Sequence, residues 1–104
     1  MDKYDGRTFR AERAWGGPNI TVMPQAAVKL RWTDQPFRWH ANTGEEVFAV
    51  LDGVVDMHVR DDAGTESIIT LGPGDLLHIR VGEEHVAHPR GEARILVVEQ
   101  IGSA

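Results

Sequence analysis

Imidazoles and carboxylates are the groups in this sequence best suited to chemistry, and they gather in its middle. All five histidines fall between His40 and His88. Two of them stand beside acids, His40 ahead of Glu45 and Glu46, and His85 behind Glu83 and Glu84. Nitrogen and oxygen donors of this kind suit Zn, Fe, Mn or Ni. Other schemes find less support. The serines are Ser67 and Ser103, and neither sits in a G-x-S-x-G turn. Gly72-Pro73-Gly74 leads into a strand and not a helix, so it lacks the geometry that cradles phosphate. The acid pairs Glu45-Glu46, Asp61-Asp62 and Glu83-Glu84 are sequence neighbours, and neighbours on a strand point to opposite faces.

The elements that must position these groups are short strands. Glycine and proline punctuate the chain at short intervals, and between them lie brief runs of Val, Ile, Leu and aromatics, the pattern of an antiparallel sandwich or barrel. The clearest alternation is Val55 to Arg60, with Val55, Met57 and Val59 inward and Asp56, His58 and Arg60 outward. Asp61-Asp62-Ala63-Gly64 then predicts a hairpin into Glu66 to Leu71. Further strands are expected at Ile20 to Met23, Ala27 to Trp32, Phe37 to His40, Val47 to Leu51, Asp75 to Arg80, His85 to His88 and Arg94 to Glu99. Strand parity would put His40 on one face with Arg38, leaving Phe37 and Trp39 on the other and in need of cover. Either the N-terminal segment folds over them or a second subunit does, and a homodimer is the favoured reading. His58 and His78 alternate with apolar neighbours and are expected outside, and His88, three residues after His85, on the face opposite to it.

The segment His40 to Gly53 (HANTGEEVFAVLDG) resembles the first motif of the cupin superfamily, with His40, Asn42, Glu46 and Gly53 at its characteristic positions. Gly74 to Pro89 (GDLLHIRVGEEHVAHP) is similar to the second motif, with Gly74, Gly82 and His85 at the two glycines and the histidine. The resemblance implies an all-β fold, an antiparallel double-stranded β-helix or jelly-roll barrel, over residues 1–104 with a short N-terminal arm to about residue 18. It also implies a divalent metal ion, Fe, Mn, Zn or Ni, held by His40, Asn42, Glu46 and His85, with a small polar ligand beside it. Asn42 stands where the family has a second histidine, and an amide oxygen is a weaker ligand than imidazole. The remaining set is a two-histidine, one-carboxylate triad. Asp34, Arg80 and Pro89 also depart from the motifs, at positions usually held by glycine, proline and asparagine. Arg38, Phe48, Met57 and Arg80 are the candidate ligand contacts, Arg80 for an anionic group and Phe48 and Met57 for an apolar wall, with Trp32 a weaker candidate for that wall.

Composition bounds the alternatives. The chain has 104 residues, no cysteine, 16 acidic and 11 basic residues, and a formal net charge of −5. That profile fits one globular domain without disulfides or thiolate chemistry, and argues against nucleic-acid and membrane partners. A cytoplasmic location is expected, because the first ten residues carry no apolar signal segment. The resemblance spans enzymes and non-enzymes alike, so it leaves open whether a reaction is catalysed. A metal-free cupin that binds a sugar or small acid is the alternative, or a structural dimer with a degenerate site.

Overall fold

The computed structural model describes residues 1–103, which form nine short strands. Ala104, the last residue of the expected domain, lies outside them. In chain order the strands are β1 (Asn19–Val22), β2 (Ala26–Thr33), β3 (His40–Ala41), β4 (Glu46–Asp52), β5 (Val55–Arg60), β6 (Glu66–Leu71), β7 (Leu76–Ile79), β8 (Glu84–Pro89) and β9 (Ala93–Gln100). They build a five-stranded sheet, β1-β2-β9-β4-β7, and a four-stranded sheet, β3-β8-β5-β6, with every pairing antiparallel. Among the described residues no helix is long and apolar enough to cross a membrane.

The two-residue period of a strand decides what lies between the sheets. From β4 and β9 come Phe48 and Val50 opposite Val97 and Ile95, and from β5 and β8 come Met57 opposite Ala87. These six are buried together with Val55, Leu71, Ile79 and Ala93 in one apolar cluster. Full burial of a side chain such as Met57 or Ile95 contributes about 1.5–3 kcal/mol. The expected hairpin forms with β5 and β6 in register, Val55 opposite Leu71 through Arg60 opposite Glu66. Its turn is held by the Asp61 carboxylate, which accepts from the amides of Ala63 and Thr65 at 3.0 and 2.8 Å.

One expected strand is not there. Phe37, Arg38 and Trp39 lie outside the sheets, and only His40 and Ala41 pair, with His85 and Glu84. Pro36 has no N–H for a ladder, and the Thr33 hydroxyl captures the backbone of Gln35 in a tight local turn, so the chain reaches β3 by an irregular path.

The N-terminal arm is tied down from the far end of the chain. Arg94 is buried on β9, where its Nε donates to the Phe9 carbonyl at 2.7 Å and one terminal nitrogen to Asp52 at 2.8 Å. Farther along, the Gly16 and Pro18 carbonyls accept from the Trp32 and Leu30 amides, which aligns the arm with the edge of β2. Replacing Arg94 with methionine keeps much of the packing and removes both bonds. A loss of about 1.5–3 kcal/mol is expected, the range for hydrogen bonds to a charged group. Trypsin should then cut faster after Arg10 and Arg13. Unchanged cleavage would show that the backbone bonds at Gly16 and Pro18 hold the arm by themselves.

Candidate functional site

His40 and His85 face each other across the β3–β8 ladder, with ring centroids 4.3 Å apart. Each ring is oriented the same way. Nδ1 of His40 lies 2.9 Å from the Arg38 carbonyl, and Nδ1 of His85 lies 2.9 Å from the Glu83 carbonyl. A carbonyl only accepts, so Nδ1 carries the hydrogen, and in the neutral ring Nε2 keeps its lone pair. Burial lowers the pKa of His85 from its ordinary 6.5, opposed by the Glu83 carbonyl and aided by neighbouring His40.

Glu46 begins β4 and points inward, while Glu45 beside it is exposed and bonded to His78 at 2.7 Å. The Glu46 carboxylate accepts a hydrogen bond of 2.6 Å from the side-chain amide of Asn42, itself buried. Asn42 is fixed in turn through its backbone, whose carbonyl accepts from the Gly82 amide at 3.0 Å. The glycine turn of the second motif therefore positions a side chain of the first. Burial raises the pKa of Glu46 above 4.5, and Glu99, directly opposite it on β9, adds to the rise; Asn42, His40 and Lys29 act the other way. Glu99 is itself paired with Lys29.

His40, Asn42, Glu46 and His85 all border one cavity of about 190 Å³. Phe48 and Met57 supply apolar wall, as their place on β4 and β5 requires. Arg38 and Arg80 do not line it. The expected shared face of Arg38 and His40 fails because residues 37–39 are not a strand: Phe37, still exposed on its outer side, borders the cavity and packs edge-on against His40 at 5.1 Å, while the exposed Arg38 guanidinium rests over the Phe37 ring. Arg80 is exposed and borders a separate groove with Glu83 and Val59. Trp32 is buried elsewhere, its indole donating to Glu92 at 3.0 Å. Of the other histidines, His58 and His88 pack against each other at a tilt, with ring centroids 4.2 Å apart, and do not border this cavity.

Several wall residues had no counterpart in the sequence reading. Glu99 enters by register, opposite Glu46. Trp15 enters from the N-terminal arm, edge-on to Phe37 at 5.3 Å, so a row of rings runs Trp15, Phe37, His40, His85. The alternation of β9 offered a signal for Glu99, whereas nothing local marked Trp15.

The donor set answers the metal question in part. Both imidazoles present Nε2, which is how histidine ligands are usually prepared. Among the described residues, however, no three His, Cys, Asp or Glu side chains converge closely enough to hold an ion. One oxygen of Glu46 is already occupied by Asn42. As arranged, these residues do not fit a three-ligand centre.

The chain is similar to solved structures over most of its length. A cupin-2 domain protein from Shewanella frigidimarina shares 28% identity, covering 86% of this chain and 84% of that one with a TM-score of 0.75. A hydroquinone 1,2-dioxygenase in complex with Fe3+ matches at 19% identity and TM-score 0.79, over 88% of this chain and 29% of that one. Oxalate decarboxylase from Bacillus subtilis, described with Mn(II) centres, matches at 20% identity and TM-score 0.66, over 73% of this chain and 21% of that one. These last two share the fold, and the metals are theirs. No curated protein matches the chain. The family model described as cupin domain matches residues 30–99, which takes in both motifs and both imidazoles, and this chain belongs to that family.

Proposed function

We propose that this cupin binds a small neutral organic molecule in the cavity between its sheets, without a resident metal ion. The observation that carries the reading is the donor arrangement: paired imidazoles with their Nδ1 hydrogens already used, beside a carboxylate held by an amide. Two Nε2 lone pairs are acceptors, so the matching group on the ligand is a hydroxyl that donates. The remaining wall selects against negative charge. Glu46 and Glu99 border the cavity and, among the described residues, no lysine or arginine does, which disfavours an anion such as a small acid. Trp15, Phe37, Phe48 and Met57 ask for an apolar body. Size sets the last limit. An apolar cavity of about 150 Å³ admits benzene, so this one suits a single ring with a substituent.

Thermal unfolding with 4-ethylphenol, with ethylbenzene, and with Mn(II), Fe(II), Zn(II) or Ni(II) tests this directly. The phenol should raise the midpoint in proportion to the logarithm of its concentration, reaching about 2.7 kcal/mol of stabilisation at a hundred times its dissociation constant. Ethylbenzene should do less, and His85→Ala should lose the advantage of the hydroxyl. A rise with one of the metals and none with the phenol would replace this reading with an ion on His40, Glu46 and His85.

A further inference from the structure

We infer that this chain forms a two-fold symmetric homodimer through the outer face of its five-stranded sheet, with the axis crossing the central strand β9 beside Val98. The inference goes beyond the ligand reading and does not depend on it. It starts from the unlike outer faces of the two sheets. On the four-stranded sheet, β5 buries Val55 and Met57 and turns out Asp56, His58 and Arg60, the polar side that an antiparallel sheet commonly shows to water. On the five-stranded sheet, Phe48 and Val97 belong to the core cluster, so alternation turns Val47 and Val98 outward. Register aligns Thr21, Val28, Val98, Val47 and His78 in one row across all five strands. The next row holds Leu30, Leu96, Ala49 and Leu76. Neither row contains a carboxylate, a lysine or an arginine.

Solvent still reaches this face. Val28, Val47 and Val98 are only half-buried, and Val47 and Val98 line an open depression with Ala26 and Gln100. The N-terminal arm borders the leucine row through Tyr4, Gly6 and Arg7 and leaves Leu76 68% exposed. Phe37 and Trp39, the aromatics expected to need cover, meet Trp15 and the Arg60 guanidinium of their own chain. The apolar surface that calls for a partner is therefore on the other sheet.

Two observations make the occupant a second copy. The first is area. The chain exposes 6385 Å², whereas a folded monomer of its mass exposes about 5,800 Å². The surplus of about 600 Å² approaches the roughly 800 Å² per partner that a standard interface hides. The second is symmetry. About β9, the middle strand of its sheet, the first row reads polar, valine, valine, valine, polar. A two-fold axis there lays apolar positions on apolar positions, the self-complementarity that such a contact requires. The face is also the reverse side of the cavity wall: Val47 lies between Glu46 and Phe48, and Val98 between Val97 and Glu99. The second copy thus braces the two strands that carry the cavity carboxylates.

Sedimentation of the full chain should give twice the chain mass, falling toward one on dilution. Val98→Lys and Val98→Glu each set two like charges against each other across the axis, and each should weaken dimerisation at least about 100-fold. Mixed in equal amounts, the two variants should restore the dimer, because Val98 meets its own copy. The chain has no cysteine, so an introduced thiol reports contact without background. Val98→Cys should be joined into a covalent dimer by a short bis-maleimide, and Ile68→Cys, opposite His58 on the outer face of the other sheet, should not. Thermal unfolding checks that each variant is folded, and if the charged variants are not, the Val98→Cys cross-link decides alone. A full chain that sediments as a monomer at every concentration, a dimer that persists in both charged variants, or folded variants that stay apart when mixed overturns the inference. None of these outcomes touches the reading of the cavity.

Discussion

Gly53→Ala should remove about 3–5 kcal/mol of stability, a large share of what a domain of this size holds. Gly53 turns β4 into β5 with φ at +81°. A left-handed backbone costs an L-residue roughly 1–2 kcal/mol by itself. The larger part of the effect comes from contact. A Cβ at this position would sit 2.3 Å from the Glu92 carbonyl oxygen and 3.0 Å from Cα of Ala93. Both are backbone atoms at the entry to β9, the strand that pairs with β4 on one side and β2 on the other. Relief would push β9 away from β4 and so separate Glu99 from Glu46 and Val97 from Phe48, the pairs that border the cavity. Gly64→Ala is the control. It has nearly the same φ, +82°, but a Cβ there meets nothing within 4 Å. Its loss should stay within about 1–2 kcal/mol. In thermal unfolding the midpoints should fall by at least about 12 °C for Gly53→Ala and clearly less for Gly64→Ala. Equal losses would mean that backbone angle, not the approach of β9, makes glycine necessary at position 53.

The contrast between residues 55–60 and residues 37–39 shows where sequence alone can be read. Val55 to Arg60 alternates cleanly, and the hairpin that follows carries its own turn chemistry in Asp61 and Gly64, so local rules were enough to predict strand, face and partner. Phe37 to Trp39 looks like the same pattern. There the parity rule fails, because the Phe37 amide bonds to the Ala87 carbonyl from outside any ladder and the side chains take their directions from tertiary contacts. That one misreading exchanged Phe37 for Arg38 at the cavity wall. The placement of His40 and His85 side by side was legible because motif spacing put both at strand ends, yet the carbonyls that orient their rings depend on irregular backbone at Arg38 and Glu83. Trp15 lay beyond reach for another reason. Its position follows from Arg94, Gly16 and Gly17 anchoring an arm that has no periodicity of its own. The sequence also presented Asn42 as a weakened metal ligand, whereas its side-chain amide nitrogen is turned to Glu46.

Removing that amide should therefore weaken the fold in a pH-dependent way. Asn42→Ala leaves Glu46 buried without the hydrogen bond that opposes its raised pKa, and the expected loss near pH 8 is about 1.5–3 kcal/mol, the range for a bond to a charged group. The sign follows from which state holds the proton. Glu46 has a folded pKa above its ordinary 4.5, chiefly because burial penalises the anion. Above the folded value both states are ionised and the folded protein bears the whole penalty. As pH falls through the folded value toward 4.5, the folded state takes up the proton first and the penalty is relieved. Loss of Asn42 moves the folded value higher still, so the variant recovers earlier and the difference from the unmodified protein narrows on acidification. His85 acts in the opposite direction: its lowered pKa means that stability present above 6.5 is lost as pH falls through its folded value. Taking the difference between variant and unmodified protein largely cancels that contribution. Urea titrations at a series of pH values from 8 to 5 give the curve, and the same pair of proteins carrying Glu46→Gln gives the reference. With glutamine at position 46 the effect of Asn42→Ala should be smaller and flat with pH. A pH-independent loss in the Glu46 background would show that Asn42 acts through packing and its bond to Gly82, and that the carboxylate beside the imidazoles is held by something else.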